Sequence, residues 1–511
     1  MAHLEPATGA RRLLAQRERF HYYRPVTRKI CTVVAAALLL CPAIGVPAHP
    51  VGSSDPDYAA LDVYVLRQMR KHGLPGVALA ITRGDKITYM QGYGTAGGDT
   101  PVTAATPMFI GSQSKSFTGL AIAQLAERGA LDLNAPIRTY IPWFTTADDA
   151  AAGEITVSHM LHHTSGLSDG GFAVELDDDI PLEAAVRALS EARLTAPVGE
   201  RFQYFNSGYV VLAYVVEAVS GIPFAAYLHE HVFRPLEMTR TFTDPNAATP
   251  LGLAQGHSRL FGFPIPAHQP SPPYQLGSGY IISTAEDLAR FAIAMNAEGT
   301  YRNTSVLSPE WTERLFTPVL GYGMGWFVGT ERVYHGGSNE TFKTFLELYP
   351  DRGVGVVVLV NQGYILDHYV SAEQLMSGVR AFVLDAPLPA VRAGLSVRML
   401  GWAMLALVVV LGAVSVSSFA RLRSWPARAS RWSSGRLVRD IAVNFVIPTI
   451  FLVIVVTQLR VFYGDRFRLF YQLRFMLRNM ADVGILLAIG TVPDYLQGLI
   501  KLLRLPGRTP G

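Results

Sequence analysis

Cysteine is almost missing from this chain of 511 residues: two are present, Cys31 and Cys41, and both fall in one apolar stretch near the N-terminus. The rest of the chain therefore offers no disulfide framework, no cysteine nucleophile and no thiolate for a metal. Lysine is nearly as scarce, with six residues. Charged residues make up only 16% of the chain while hydrophobic residues make up 50%. A mean hydropathy of +0.23 is too apolar for an ordinary cytosolic enzyme and predicts membrane segments.

The formal net charge of +4 conceals a polarity along the chain. Residues 1–48 carry 7 basic and 2 acidic residues, and residues 395–511 carry 15 and 4, which leaves residues 49–394 at −12. An acidic body argues against nucleic acid as a partner, because phosphate binding needs a basic face. The basic residues instead border apolar runs, as cytoplasmic flanks of membrane helices do.

"RKICTVVAAALLLCPAIGVPAHP" has a basic start, an apolar core and a small-residue exit at Val46-Pro47-Ala48. It reads as an export signal within 1–48, cleaved near Ala48, or as an uncleaved anchor; both place the body outside the cytoplasm. After Pro389 three apolar runs predict transmembrane helices at 399–419, 441–459 and 481–500. The arginine-rich "RLRSWPARASRWSSGRLVR" between the first two predicts a cytoplasmic loop, and 462–480 reads as an interfacial helix. The expected location is a multi-pass membrane protein with an extracytoplasmic body.

Within the body, "YAALDVYVLRQMRKHG" has helical spacing, and "GVALAITRGDKITYMQGYG" reads as two strands joined at Arg83-Gly84-Asp85. A helix-rich middle follows. Strand patterns return at "GYGMGWFVG", "RVYHGG", "FKTFLELYP" and "GVGVVVLVN", and a helix near 369–384 closes the body. Strands at both ends with helices between predict an α+β domain in which the end strands share one sheet. The Pro-rich stretch 264–275 reads as a loop.

"IGSQSKSFTGLAIAQLAERGAL" carries the chemistry. Ser112 and Lys115 stand at i and i+3, so a helix puts them on one side. The helix dipole there favours negative charge developing on the serine oxygen, and burial of the lysine lowers its pKa toward that of a general base. The same pair in an exposed first turn is an ordinary surface feature. Two later stretches, Tyr204-x-Asn206 before a helix and His335-Gly336-Gly337 between two strands, change that balance.

These three motifs, in this order, resemble the serine β-lactamase and penicillin-binding protein family, closest to its class C and DD-peptidase-like branch. "ITVSHMLHHTSGL", "GSGYIISTAEDLARF" and "DRGVGVVVLVN" extend the likeness over about 57–385. The resemblance implies a β-lactamase/transpeptidase-like fold, an antiparallel sheet flanked by helices plus a helical region. It also implies that Ser112 is the acylated nucleophile, that Lys115 and Tyr204 share the proton transfers, and that Asn206 bonds Lys115 and the substrate amide. Backbone N–H groups of Ser112 and Ser338 would form the oxyanion hole, with Gly336 and Gly337 admitting the substrate.

This chain departs from the family where many relatives have Lys-Thr-Gly. His335 is mostly neutral at pH 7, and Gly336 lacks a hydroxyl for a substrate carboxylate. Amide, ester or D-amino-acid peptide substrates without a demanding carboxylate contact are therefore expected, unless a nearby cation, Arg332 for example, replaces the lysine. His159, His162 and His163 have helical spacing but belong to the family's "HHTSG" helix-to-loop feature, and the acidic "ELDDDIP" (175–181) reads as a solvated loop. Tyr280, Tyr322 and Trp326 fit either a cleft wall or a core.

The resulting expectation is a membrane-tethered serine hydrolase cleaving an amide or ester through acyl-Ser112, with no metal or organic cofactor. Its partners would be a small-molecule or peptide substrate, cell-envelope derived for instance, and the lipid bilayer. The alternatives are a DD-carboxypeptidase or weak β-lactamase specificity, and a penicillin-binding-like sensor or scaffold that acylates without turnover. The oligomeric state stays open.

Overall fold

The computed structural model describes residues 56–172, 176–364, 367, 370–391, 396–463 and 481–505. The export signal or anchor of 1–48 and the 464–480 part of the expected interfacial helix lie outside them.

The body is built on a seven-stranded antiparallel sheet. Its strands are β1 (Gly76–Arg83), β2 (Lys86–Gly97), β3 (Thr100–Pro101), β4 (Phe327–Val328), β5 (Val333–Ser338), β6 (Lys343–Tyr349) and β7 (Val354–Val360). They lie in the order β4-β5-β6-β7-β1-β2-β3, so the two ends of the domain's sequence do meet in one sheet, across β7 and β1. Alternation along β1 explains the layers: Ala78 and Ala80 face one core while Val77, Leu79 and Ile81 face the other. The bulky face packs against α1 (Tyr58–His72) and α5 (Ser371–Val383). The small face receives α4 (Ala285–Asn296), where a Cβ on Gly355 would stand 2.9 Å from that of Ala292.

Local signals set the helix ends. Asp57 accepts from the Ala60 N–H at the start of α1, and Gly73, at φ 64°, ends it after Arg70, Lys71 and His72. Between the sheet ends lies the helical region, with α2 (Ser114–Glu127) at its centre and α3 (Asn206–Ser220) beside it. Every residue of α2 from Ser114 to Ala126 is buried.

Two segments differ from the pattern-based expectation. Of "GYGMGWFVG" only Phe327–Val328 is a strand, because Gly321 and Gly325 take φ of 89° and 85° and fold the rest into turns. Of the proline-rich loop, Phe263–Pro266 forms a hairpin with His257–Leu260. Proline is tolerated there because the pair is an isolated two-stranded ribbon.

Beyond the body come α6 (Val397–Leu422), α7 (Ser434–Tyr463) and α8 (Ala481–Leu503). Each is long and apolar enough to cross a membrane. A further apolar pair, Asn206–Ser220 with Phe224–Phe233, bends by 80° and lies in the core of the body. The arginine-rich 421–439 segment connects α6 to α7, with Trp425–Ala429 as a short helix and α7 already under way at Ser434. Arginine, alanine and leucine favour helix, and the charges sit on its exposed side.

The start of α6 docks closely on the body, since a Cβ on Gly401 would lie 2.1 Å from the Gly262 nitrogen. Asp482, at the start of α8, accepts from the Tyr364 hydroxyl at 3.2 Å. The opposite end of the three helices is tied by Lys501 to Asp440 at 2.7 Å and to Asn444 at 2.8 Å.

Candidate active site

Ser112 lies not in the first turn of α2 but in a 3-10 turn, Gly111–Gln113, that feeds it. The turn starts at Gly111 with φ 56°, a left-handed conformation suited to glycine. Lys115 follows in α2 with no exposure at all. Its burial comes from an unusually close crossing by the 323–325 loop. A Cβ on Gly119 would lie 2.1 Å from the Met324 carbonyl oxygen, and one on Gly325 would lie 2.3 Å from that of Lys115.

The Lys115 amine donates to Ser112 Oγ at 3.3 Å, to Asn206 Oδ1 at 2.8 Å and to the Ser278 carbonyl at 2.5 Å. These acceptors are neutral. Burial therefore dominates, and it lowers the lysine pKa to about 7, with Asp169 opposing the shift. Near neutral pH a large share of the amine is unprotonated beside the serine hydroxyl.

Tyr204 and Asn206 are presented by the start of α3. Asn206 is its first residue, and the Phe205 N–H before it donates to His163 Nδ1 at 3.2 Å. The Gln203 N–H donates to the His163 carbonyl at 2.7 Å. The His163 ring packs 4.4 Å from that of Tyr204, whose face lies 4.9 Å from the Lys115 amine. The "HHTSG" segment thus holds the Tyr204-x-Asn206 turn in place. His159 instead caps the helix Val157–Leu161, and His162 donates from Nδ1 to the Tyr322 carbonyl at 2.7 Å.

The third motif needs correction in detail. His335 does not face the cleft; it is 2% exposed, and its partners are Tyr322 and a backbone carbonyl. Nδ1 must donate to the Gly336 carbonyl at 2.7 Å, so Nε2 accepts from the Tyr322 hydroxyl at 2.9 Å. Burial, aided by the charge of Lys115, pushes its pKa down to about 3, so the ring is neutral. The two glycines also differ. A Cβ on Gly337 would stand 1.8 Å from the Ile110 carbonyl oxygen, whereas one on Gly336 would meet nothing closer than 3.4 Å. Gly337 lets β5 press against the Gly111–Gln113 turn rather than opening room for substrate. That contact brings the Ser338 nitrogen within 2.5 Å of where a Gly111 Cβ would be.

Arg332 does not supply the missing positive charge. It pairs with Glu347 at 2.7 Å and stacks on Tyr334, and Glu347 is shared with Arg380 of α5. The cation at the cleft is one that the sequence reading passed over as a strand residue, Lys343. It stands opposite Ser338 in the β5–β6 register and donates to its hydroxyl. Burial lowers its pKa to about 8, against the pull of Asp367 and Glu340. Its signal was available, because "FKTFLELYP" places one of the chain's six lysines inside a strand pattern, directly after the His335-Gly336-Gly337 strand.

A cleft of about 250 Å³ gathers these groups, with Ser112, Asn206, Ser338 and Lys343 in its wall beside Tyr280 and Asn339. Tyr280 is thus a cleft residue, while Trp326 is fully buried. Among the described residues no cluster of His, Cys, Asp and Glu is arranged to hold a metal ion.

Comparison with known proteins places the fold. Protein flp of Staphylococcus aureus (strain MRSA252) is 26% identical over 317 residues, 59% of this chain and 62% of its own length. Unguisins hydrolase ungD' of Aspergillus campestris is 28% identical over 341 residues, 61% of this chain and 62% of its own. The match therefore spans under two thirds of these relatives' length. The octameric penicillin-binding protein homologue from Pyrococcus abyssi superposes with a TM-score of 0.54 at 26% identity, covering 65% of this chain and 78% of that one. The SurE crystal structure shares the fold, with a TM-score of 0.55 at 22% identity over 66% of this chain and 79% of that one. The family model described as Beta-lactamase matches residues 61–377, which hold the Ser112, Tyr204 and His335 motifs and the sheet that carries them. With that match covering more than half of its length, the chain belongs to the β-lactamase family.

Proposed function

We propose that the protein is a membrane-tethered serine hydrolase, its body outside the cytoplasm, that cleaves an amide or ester through an acyl-Ser112 intermediate. The observation that carries this is Lys115, a fully buried amine with a pKa of about 7, bonded to Ser112 and Asn206. A buried lysine held only by neutral acceptors weakens a fold, and beside the Ser112 hydroxyl its lowered pKa suits it to act as a base.

In this reading the neutral Lys115 amine takes the proton of Ser112 as Oγ attacks the substrate carbonyl. The N–H groups of Ser112 and Ser338 receive the developing oxyanion. Tyr204, beside the resulting ammonium, passes its proton to the leaving nitrogen or oxygen and regains one from Lys115, and the leaving group departs from the acyl ester. Water, deprotonated through the same pair, then attacks the ester and restores Ser112. Asn206 holds the lysine and offers its amide N–H to the substrate.

Lys343 modifies the substrate expectation. A cation in the cleft wall beside Ser338 favours substrates with a negative group near the scissile bond, such as a peptide carboxylate. The test is covalent: the purified chain, incubated with a fluorophosphonate or a penicillin, should gain the probe's acyl or phosphonyl mass on the peptide carrying Ser112. Modification elsewhere, or none while a model ester is turned over, would remove this mechanism.

A further inference from the structure

The end of the helical bundle away from the body holds a second cavity. α6 ends at Leu422, the helix Trp425–Ala429 turns the chain, α7 begins at Ser434, and the last turns of α8 return to the same level. Together they line a cavity of about 550 Å³ that is open to the outside. Its wall includes Arg421, Arg428, Arg436, Arg439 and Lys501 beside Trp425 and Trp432.

The charges in that wall do not balance. Five cations face two carboxylates, Asp440 and Asp494. Asp440 is already engaged, accepting from Lys501 at 2.7 Å and from Trp425 Nε1 at 2.9 Å. Arg421 and Arg428 donate to the carbonyls of Ser417 and Arg421, and the Arg436 guanidinium stacks 4.8 Å over the Trp432 ring. Among the described residues, none of the four arginines makes an ion pair. Guanidinium groups lining one cavity repel one another, and an anion between them lowers that cost.

The surroundings narrow the choice of anion. On the body side of the cavity, α6 and α7 expose Val414, Val416, Val446 and Ile447, faces suited to hydrocarbon. Tryptophan at a helix end matches the headgroup level of a bilayer, and a guanidinium fork matches phosphate oxygens. The volume far exceeds the ~30 Å³ share of one water, leaving room for a phosphate and the alcohol esterified to it. Basic pockets between membrane helices on the cytoplasmic side take anionic lipid headgroups.

We propose that this cavity binds the phosphate of an anionic phospholipid through its wall arginines, with the acyl chains lying along α6 and α7. The proposal rests on the membrane reading of the three helices and not on the chemistry at Ser112.

The test uses the full chain reconstituted in vesicles of phosphatidylcholine alone or mixed with phosphatidylglycerol. Flotation is scored first, then lipid retained after mild detergent extraction, by native mass spectrometry. Phosphatidylglycerol should be retained over phosphatidylcholine. Arg428→Gln with Arg436→Gln should lower that retention by about tenfold, the worth of one lost charge-assisted contact. Arg423→Gln with Arg431→Gln removes equal charge from positions outside the wall and should leave retention unchanged. Should the cavity pair melt early, the single Arg436→Gln is read against Arg431→Gln in the same way. Equal losses in both pairs, or no preference between lipids, would overturn the proposal alone. So would binding of inorganic phosphate by the detergent-solubilised chain as tight as its binding of phosphatidylglycerol, which would assign the site to free phosphate. A chain that floats with neither vesicle overturns the membrane reading as well.

Discussion

Ser338 and Lys343 face each other across the β5–β6 pair, and the lysine amine donates to the serine hydroxyl at the edge of the cleft. β6 thereby brings to Ser338 a cation that the His335-Gly336-Gly337 motif itself does not provide. Two lysines of the body thus border one site, and burial depresses both, Lys115 to about 7 and Lys343 to about 8.

Their protonation states are needed in opposite senses. A base works deprotonated, so cleavage of a neutral ester should rise with pH through about 7 and then level off. An anion-binding lysine works protonated, so cleavage of a carboxylate-bearing amide should rise and then fall again above about 8. Lys343→Met should abolish the fall and reduce kcat/KM for the anionic substrate by ten- to a hundredfold, sparing the neutral one (about 1.5–3 kcal/mol for a charged contact). Matching profiles for both substrates in the wild type would refute the assigned role.

Ser112→Ala should abolish acylation by the covalent probe. Lys115→Ala, and to a smaller degree Tyr204→Phe, should slow it by about 10²–10⁴-fold, the range for loss of a general base. Stopped-time labelling measures both, and a wild-type labelling rate in Lys115→Ala would exclude the amine as base.

The two neighbouring glycines should respond differently to the same change. Gly337→Ala forces a methyl against the Ile110 carbonyl, 1.8 Å from the ideal position. A loss of about 1–3 kcal/mol in stability and a displaced nucleophile turn are expected. Gly336→Ala has room and should be neutral or stabilising by up to about 1 kcal/mol, because alanine loses less chain entropy in a strand. Denaturant midpoints and labelling rates of the two variants decide it.

Burial of Lys115 also sets a stability slope. Its folded pKa, about 7, lies below the 10.5 of ordinary lysine, so between those values the unfolded chain binds the extra proton. Stability must then rise with pH across that window, the cost of holding the charged amine being greatest below 7. Lys343 contributes in the same direction from about 8 upward. Lys115→Met should flatten the curve of melting temperature against pH between 7 and 10; an unaltered slope would mean that the amine is solvated.

Much of this was legible in the chain itself. The spacing of Ser112 and Lys115, the turn before α3, the strands at both ends of the body and the three apolar runs all depend on local periodicity. Local periodicity survives folding, and the structure bears out the shared sheet and the apolar helices. What tertiary structure alone decided was which side chain each strand presents to the cleft. Arg332 precedes Ser338 by six residues, about 20 Å along a strand, and meets Glu347 and Arg380 instead. His335 has the opposite parity to Ser338 and turns inward to Tyr322. Lys343, five residues after Ser338, meets it only through antiparallel register, and register is a pairing of two segments that neither contains by itself.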